Sequence, residues 1–438
     1  MERLTVESVV SHGNSLVIDF HCEGNLKKFL LGNTFFAQYS VPIVDVPEKF
    51  LIIPFLSTAC PVAWANHADI YVNTIDKPYL DSLKQVQLVL RKTFPKIGFS
   101  GNIYAKKIVE ETDKPRSKSM VLFSGGVDSI ATYIRHRGET PLLVTIQGAD
   151  IQLADFGRWQ QVTRELCHFA GENGLNYRTV RSNFYDIIDH IMGTTFHSSL
   201  YNETWWIAVM NGLSFLGLCA PLTYVDEVGK LYIAASLTKD YGKPIALTPK
   251  VDDEVKWTGT TCSHDGYELG RQQKINLIAD YAKKENRSFI IRACGNRRIK
   301  LKRTEASNCS NSKCEKCSRT ILGLEVAGLD PNDFGFKVSD EFFLEMKANI
   351  KNHIWSFNDT VKFVWNDLLK NSKSQRHFPH PQAGEFIDWL HKIDLETVTS
   401  TTLKNLTNSL VLKAAPEFRY FPNRLWKINR TILRRIRR

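Results

Sequence analysis

Between residues 120 and 235 the chain alternates short apolar runs with segments of helical period, and this alternation restricts its fold more than any other feature. Residues 120–123 read as a short buried strand, followed by a Gly-Gly turn and a helix over 130–137. Residues 141–147 and 177–180 read as further strands with a helix over 159–171 between them, and a strand at 231–235 continues the series. Strand, turn, helix, strand at this rhythm predicts β-α-β units, because parallel strands need a crossover long enough to hold a helix. The expected fold class is α/β, a parallel sheet covered on both faces.

The flanks read differently. Apolar alternation at 15–20 and the run 50–53 predict strands, and the three-to-four spacing of Leu80, Leu83, Val86, Leu90 and Phe94 predicts an amphipathic helix ended by Pro95. The apolar run 60–64 reads as packing. Polar residues 114–119 form the expected linker, and beyond residue 330 the aromatics Trp355, Phe363, Trp365, Phe386 and Trp389 suit packed helices. Three regions follow: 1–115, an N-terminal α+β domain; 120–330, the α/β domain; and 331–438, a helical C-terminal region. A chain of 438 residues exceeds one ordinary core.

Charge and hydropathy narrow the setting. Hydrophobic residues make up 43% of the chain and charged residues 24%, as in ordinary globular proteins. No apolar run reads as long enough for a bilayer, and residues 1–5 lack a signal-like apolar stretch, so the expected location is cytoplasmic. The formal net charge of +11 favours phosphate-rich partners, but seven Lys or Arg residues and no acid lie in 424–438. There Leu425, Ile428, Ile432 and Ile436 recur at helical spacing. That pattern suits a peripheral anionic membrane surface or an acidic protein partner, and it leaves nucleic acid open.

Ser124-Gly125-Gly126-Val127-Asp128-Ser129 joins the first strand of the α/β region to its first helix. Glycines let backbone approach an anion closely, and a helix start offers free N–H groups with the positive end of a dipole. Ser124 and Ser129 add hydroxyls. Asp128 fits beside phosphate through Mg²⁺ or as a helix cap. This is not the G-x-x-x-x-G-K-[ST] phosphate loop. The segment resembles the SGG(V/K/L)DS loop of the PP-loop ATP pyrophosphatases, whose fold is the adenine nucleotide alpha-hydrolase-like sheet. The resemblance implies that Ser124, Gly125, Gly126, Val127, Asp128 and Ser129 bind ATP with Mg²⁺, with Thr145 and Gln147 near the adenine. It also implies attack of a substrate oxygen on the α-phosphorus, giving pyrophosphate and AMP.

Of nine cysteines, Cys22, Cys60, Cys167, Cys219 and Cys262 are scattered and read as small buried hydrophobes. The other four, Cys294, Cys309, Cys314 and Cys317, stand with fourteen, four and two residues between them. Such spacing suits tetrahedral Zn²⁺, and an iron–sulfur cluster uses the same ligand number. Loop and cysteines together resemble 7-cyano-7-deazaguanine synthases, over about residues 120–328, although the Cys-Gly-x-Cys-x-x-Cys of that family here carries two extra residues. The ATP-dependent epimerase of muramoyl-dipeptide glutamate is a second, more distant likeness.

The resemblance implies an adenylating, ligase-type enzyme whose substrate is a small molecule or a protein terminus bearing a carboxylate. A deazaguanine or a protein partner in anti-phage defence, a glutamyl carboxylate in envelope biosynthesis, and a tRNA are the alternative substrates; a nucleotide-binding scaffold is the non-enzymatic one. Lys239, which follows the strand at 231–235, is a candidate for neutralising phosphate charge. His264 is a candidate acid/base or donor, and Arg271 shares a face with Lys274 on a helix beginning within 262–274. With Asp128 these complete the candidate catalytic set.

Overall fold

The computed structural model describes every residue except 1, 111–115, 202, 295–307, 353, 356, 374–376 and 396–438. The basic tail at 424–438 and residues 114–115 of the linker lie outside the described residues.

One eleven-stranded sheet organises the chain. Its strands are β1 (Arg3–His12), β2 (Ser15–Glu23), β3 (Thr34–Tyr39), β4 (Asp69–Asp76), β5 (Ile103–Val109), β6 (Lys118–Leu122), β7 (Leu142–Gln147), β8 (Tyr177–Ser182), β9 (Val228–Ala234), β10 (Lys256–Trp257) and β11 (Thr260–Asp265). They lie in the order β10-β11-β9-β6-β7-β8-β3-β2-β1-β4-β5. The pairings β11-β9-β6-β7-β8 are all parallel, as the strand–helix rhythm predicts. The N-terminal strands join the same sheet through the antiparallel pair β3–β8, where Gln38 lies opposite Arg181.

Helices α1 (Glu48–Leu51), α2 (Ile53–Ala65) and α3 (Lys77–Thr93) follow within the N-terminal region. In the next stretch come α4 (Val127–His136), α5 (Phe156–Glu172), α6 (Ile191–Thr195), α7 (Asn211–Leu218), α8 (Ala220–Val225) and α9 (Pro249–Asp252). The last five are α10 (Arg271–Glu285), α11 (Glu315–Val326), α12 (Asp340–Lys351), α13 (Asp359–Ser372) and α14 (Pro381–Leu390). Two cores result. One holds Leu16, Phe35, Trp64, Leu83 and Leu216, the other Val121, Phe123, Ile130, Ile278 and Trp365. Alternate residues of β6 divide between them: Met120 faces the first and Val121 the second.

Three expectations need correction. Residues 50–53 are not a strand: α1 ends at Leu51, α2 begins at Ile53 with Ile52 between them, and every residue of α2 is buried. A helix enclosed on all sides has no polar face, so its period is invisible in sequence. Residues 262–265 belong to strand β11, and the helix read there begins only at Arg271, because pairing with β9 claims the earlier residues. Among the scattered cysteines, Cys167 is exposed while the other four are buried.

One segment, Trp206–Val225, does reach the length and mean hydropathy (1.5) of a bilayer span, and 78% of it is buried inside the fold. It serves as a core helix between α2 and the sheet, with Leu213 and Leu216 in the first core.

Candidate phosphate-binding loop and four-cysteine centre

β6 is flanked by β7 on one side and β9 on the other, and the chain reaches them by crossovers in opposite directions. The carboxyl end of such a strand opens into the crevice where α/β sheets bind ligands. Ser124–Ser129 occupies this position. Gly125 has φ +70°, and a β-carbon there would meet Leu166 Cδ2 at 2.5 Å, so glycine is required. Gly126 caps α4 without a side-chain hydrogen bond. Ser129 Oγ accepts from the Ser124 N–H at 3.2 Å and donates to the Gly126 carbonyl at 3.1 Å, which closes the loop on itself.

Cations from α10 surround the loop. Asp128 pairs with Arg271 Nη1 at 3.0 Å and with Lys274 Nζ at 3.4 Å. Burial would raise the Asp128 carboxyl, but the Lys274 and Arg271 charges outweigh it and hold the group below the usual carboxylate value. Asp128 therefore does not cap its helix. Lys274, with a side chain only 3% exposed, also donates to the Ala235 carbonyl at the end of β9. Arg292 donates its backbone N–H to the Gly125 carbonyl at 2.7 Å and Nη1 to the Ser124 carbonyl at 2.5 Å. Burial, with Arg158 nearby, lowers its guanidinium to about 10, so it stays charged at neutral pH. The Nε groups of Arg271, Arg292 and Arg319 are buried without a hydrogen-bond partner among the described residues.

Thr145 and Gln147 are buried at the end of β7 and are engaged internally. Thr145 Oγ1 donates to the Phe123 carbonyl at 2.6 Å; Gln147 Nε2 donates to the Gln152 carbonyl, and its Oε1 accepts from Arg181 Nε at 2.7 Å.

Of the candidate catalytic residues, the fold brings Asp128 and Arg271 into contact and keeps His264 apart. His264 lies in β11 with its side chain fully buried, Nδ1 2.7 Å from Asp252 Oδ2 in α9. Its neighbour Asp265 accepts from Arg135 and lies 3.0 Å from His136 Nε2, at the opposite end of α4 from the loop. Lys239 is exposed in a short turn after β9. The nearby Lys243 is bound to Asp359 of α13. Sequence reasoning did not assign Lys274, Arg292 or Arg319 to the loop. Lys274 was findable, lying three residues from Arg271; Arg292 and Arg319 each stand two residues from a cysteine, and nothing in the local sequence ties them to the loop.

The four cysteines converge. Their Sγ atoms all lie within 4.8 Å of one another, and Cys309 Sγ is 3.5 Å from Cys317 Sγ. Four thiolates around one Zn²⁺ at about 2.3 Å stand about 3.8 Å apart, so the set fits a single metal ion. Asn308 joins the two distant ligand segments: its Oδ1 accepts from the Ala293 and Cys294 N–H groups, and its Nδ2 donates to the Ile291 carbonyl. Cys314 is the N-cap of α11, and Cys317 lies in its first turn.

No protein-family model matches the chain, nor does any curated protein or solved structure.

Proposed function

We propose that the chain is a PP-loop type ATP pyrophosphatase that adenylates a carboxylate and carries a structural zinc ion. One observation carries this reading: a glycine loop at the sheet's crossover point is ringed by buried Lys274 and three part-buried arginines with spare N–H groups. Arg158, Arg271, Lys274, Arg292 and Arg319 outnumber the nearby carboxylates Asp128, Asp150, Glu165 and Glu315 by one, and an anion balances the excess.

The loop holds the β- and γ-phosphates on the N–H groups at the start of α4. The substrate carboxylate oxygen bonds to the α-phosphorus as the bond from that phosphorus to the bridging oxygen breaks, and pyrophosphate leaves with the electron pair. Arg271 and Lys274 stabilise the departing charge. The acyl adenylate then loses AMP to an amine, ammonia or a carbon nucleophile. Mg²⁺, when bound, shields the ATP phosphates. Cys294, Cys309, Cys314 and Cys317 hold the zinc.

The test is turnover of Mg-ATP with deazaguanine, glutamyl and peptide-terminal carboxylates, following AMP and pyrophosphate. Both products in equal amounts, dependent on one carboxylate, support the reading. ADP as product refutes it, and nucleotide binding without turnover on any substrate favours a scaffold.

A further inference from the structure

Helix α11 ties the four-cysteine centre to the phosphate loop. Its N-terminal end is set by Cys314 and Cys317, and one turn later its side chains reach the loop cations. Thr320 Oγ1 accepts from Arg271 Nη2 at 3.4 Å, the same guanidinium that holds Asp128. The two helices are in close contact: Gln272 Nε2 donates to the Gly323 carbonyl at 2.9 Å, and a β-carbon on Gly323 would meet Ile275 at 2.5 Å. α11 thus has little freedom to slide without moving Arg271.

Arg319 lies between the two centres, with its side chain 11% exposed. It interacts electrostatically with Arg271, Asp128 and Cys314. Its Nε is 3.4 Å from Glu315 Oε1 without a hydrogen bond, and that oxygen already accepts from Trp365 Nε1 at 2.8 Å. A guanidinium held beside a second one, with an unused N–H and a shared carboxylate, is short of negative charge.

From this we infer that Arg319 is a phosphate-binding residue of the loop site and that the metal-bound turn positions it, so that metal occupancy controls affinity for the pyrophosphate end of the nucleotide. The inference rests on the proposed function and deepens it. The metal acts through α11, without touching the nucleotide.

The experiment is calorimetric titration of the full chain with inorganic pyrophosphate and with ATP, in four states: wild type and Arg319→Gln, each metal-loaded and chelated. Thermal unfolding confirms folding in each state, and Arg319→Lys serves as the charge-preserving variant. In the loaded protein, Arg319→Gln weakens pyrophosphate binding by about tenfold or more with metal content unchanged, and Arg319→Lys recovers part of the loss. Chelation weakens wild type similarly but adds little to Arg319→Gln, because both remove the same contact. Equal affinity in loaded wild type and Arg319→Gln overturns the inference and leaves the loop reading standing. An undiminished effect of chelation on Arg319→Gln overturns the coupling. Absence of binding to loaded wild type overturns the loop reading and this inference together.

Discussion

Asp128, in the first turn of α4, and Arg271, the first residue of α10, form an ion pair of 3.0 Å at the mouth of the glycine loop. The two residues are 143 positions apart in sequence. Their contact, reinforced by Lys274, sets a carboxylate and two cations beside the glycine loop on which the proposed chemistry depends.

Replacing that carboxylate should stop the reaction. Asp128→Ala is expected to lower AMP and pyrophosphate formation by at least about 100-fold, as for loss of a preorganised charged group in other enzymes. Simultaneous assay of both products checks this, and wild-type rates in the variant would remove the loop from the mechanism.

Gly125→Ala should damage the loop itself. The positive φ costs an alanine about 1–2 kcal/mol, and the added carbon collides with Leu166. Nucleotide affinity is expected to fall by more than about tenfold, a loss larger than the fall in urea stability accounts for. Titration and urea unfolding on one preparation separate the two.

His264 should matter for folding, not turnover. His264→Phe leaves Asp252 buried without its partner, a loss of about 3–5 kcal/mol. Burial raises the Asp252 carboxyl above its usual value of 3.8, while the hydrogen bond and charge of His264 pull it down. An acid raised on folding keeps its proton longer in the native state, so stability falls as pH rises from the unfolded value through the folded one. Without His264 the folded value rises further, and the fall extends over a wider range above pH 3.8. Urea midpoints from pH 4 upward test the sign; unchanged midpoints with lost turnover would restore His264 as an active-site residue.

Chelation should lower the unfolding temperature in a cooperative step and release one metal ion per chain. Acid should do the same, since ligand thiolates must be deprotonated. Colorimetric zinc release during titration reads this directly, and Cys317→Ser should release its metal at lower chelator concentration.

The strand–helix rhythm of 120–235 was legible because each element there has its own periodicity and its own turn glycines. The loop was legible for the same reason: Gly125 must be glycine where φ is +70°, whatever surrounds it. The convergence of Cys309, Cys314 and Cys317 was legible because their short spacing limits how far apart three thiols can lie, whereas only the fold brings Cys294 to them. α2 was not, since complete burial erases the polar face that marks a helix. The burial of His264 against Asp252 was not legible, because that carboxylate and the buried face of β11 are set by neighbouring elements.

Local chemistry in the sequence therefore determined the α/β rhythm, the glycine loop that follows β6 and the four-cysteine cluster. Tertiary structure alone decided that the N-terminal strands extend the same sheet, that Arg271 and Lys274 enclose Asp128, and that α11 connects the thiol centre to the loop. Contacts across more than a hundred residues depend on how helices pack over a shared sheet, and no local periodicity encodes which distant side chain arrives.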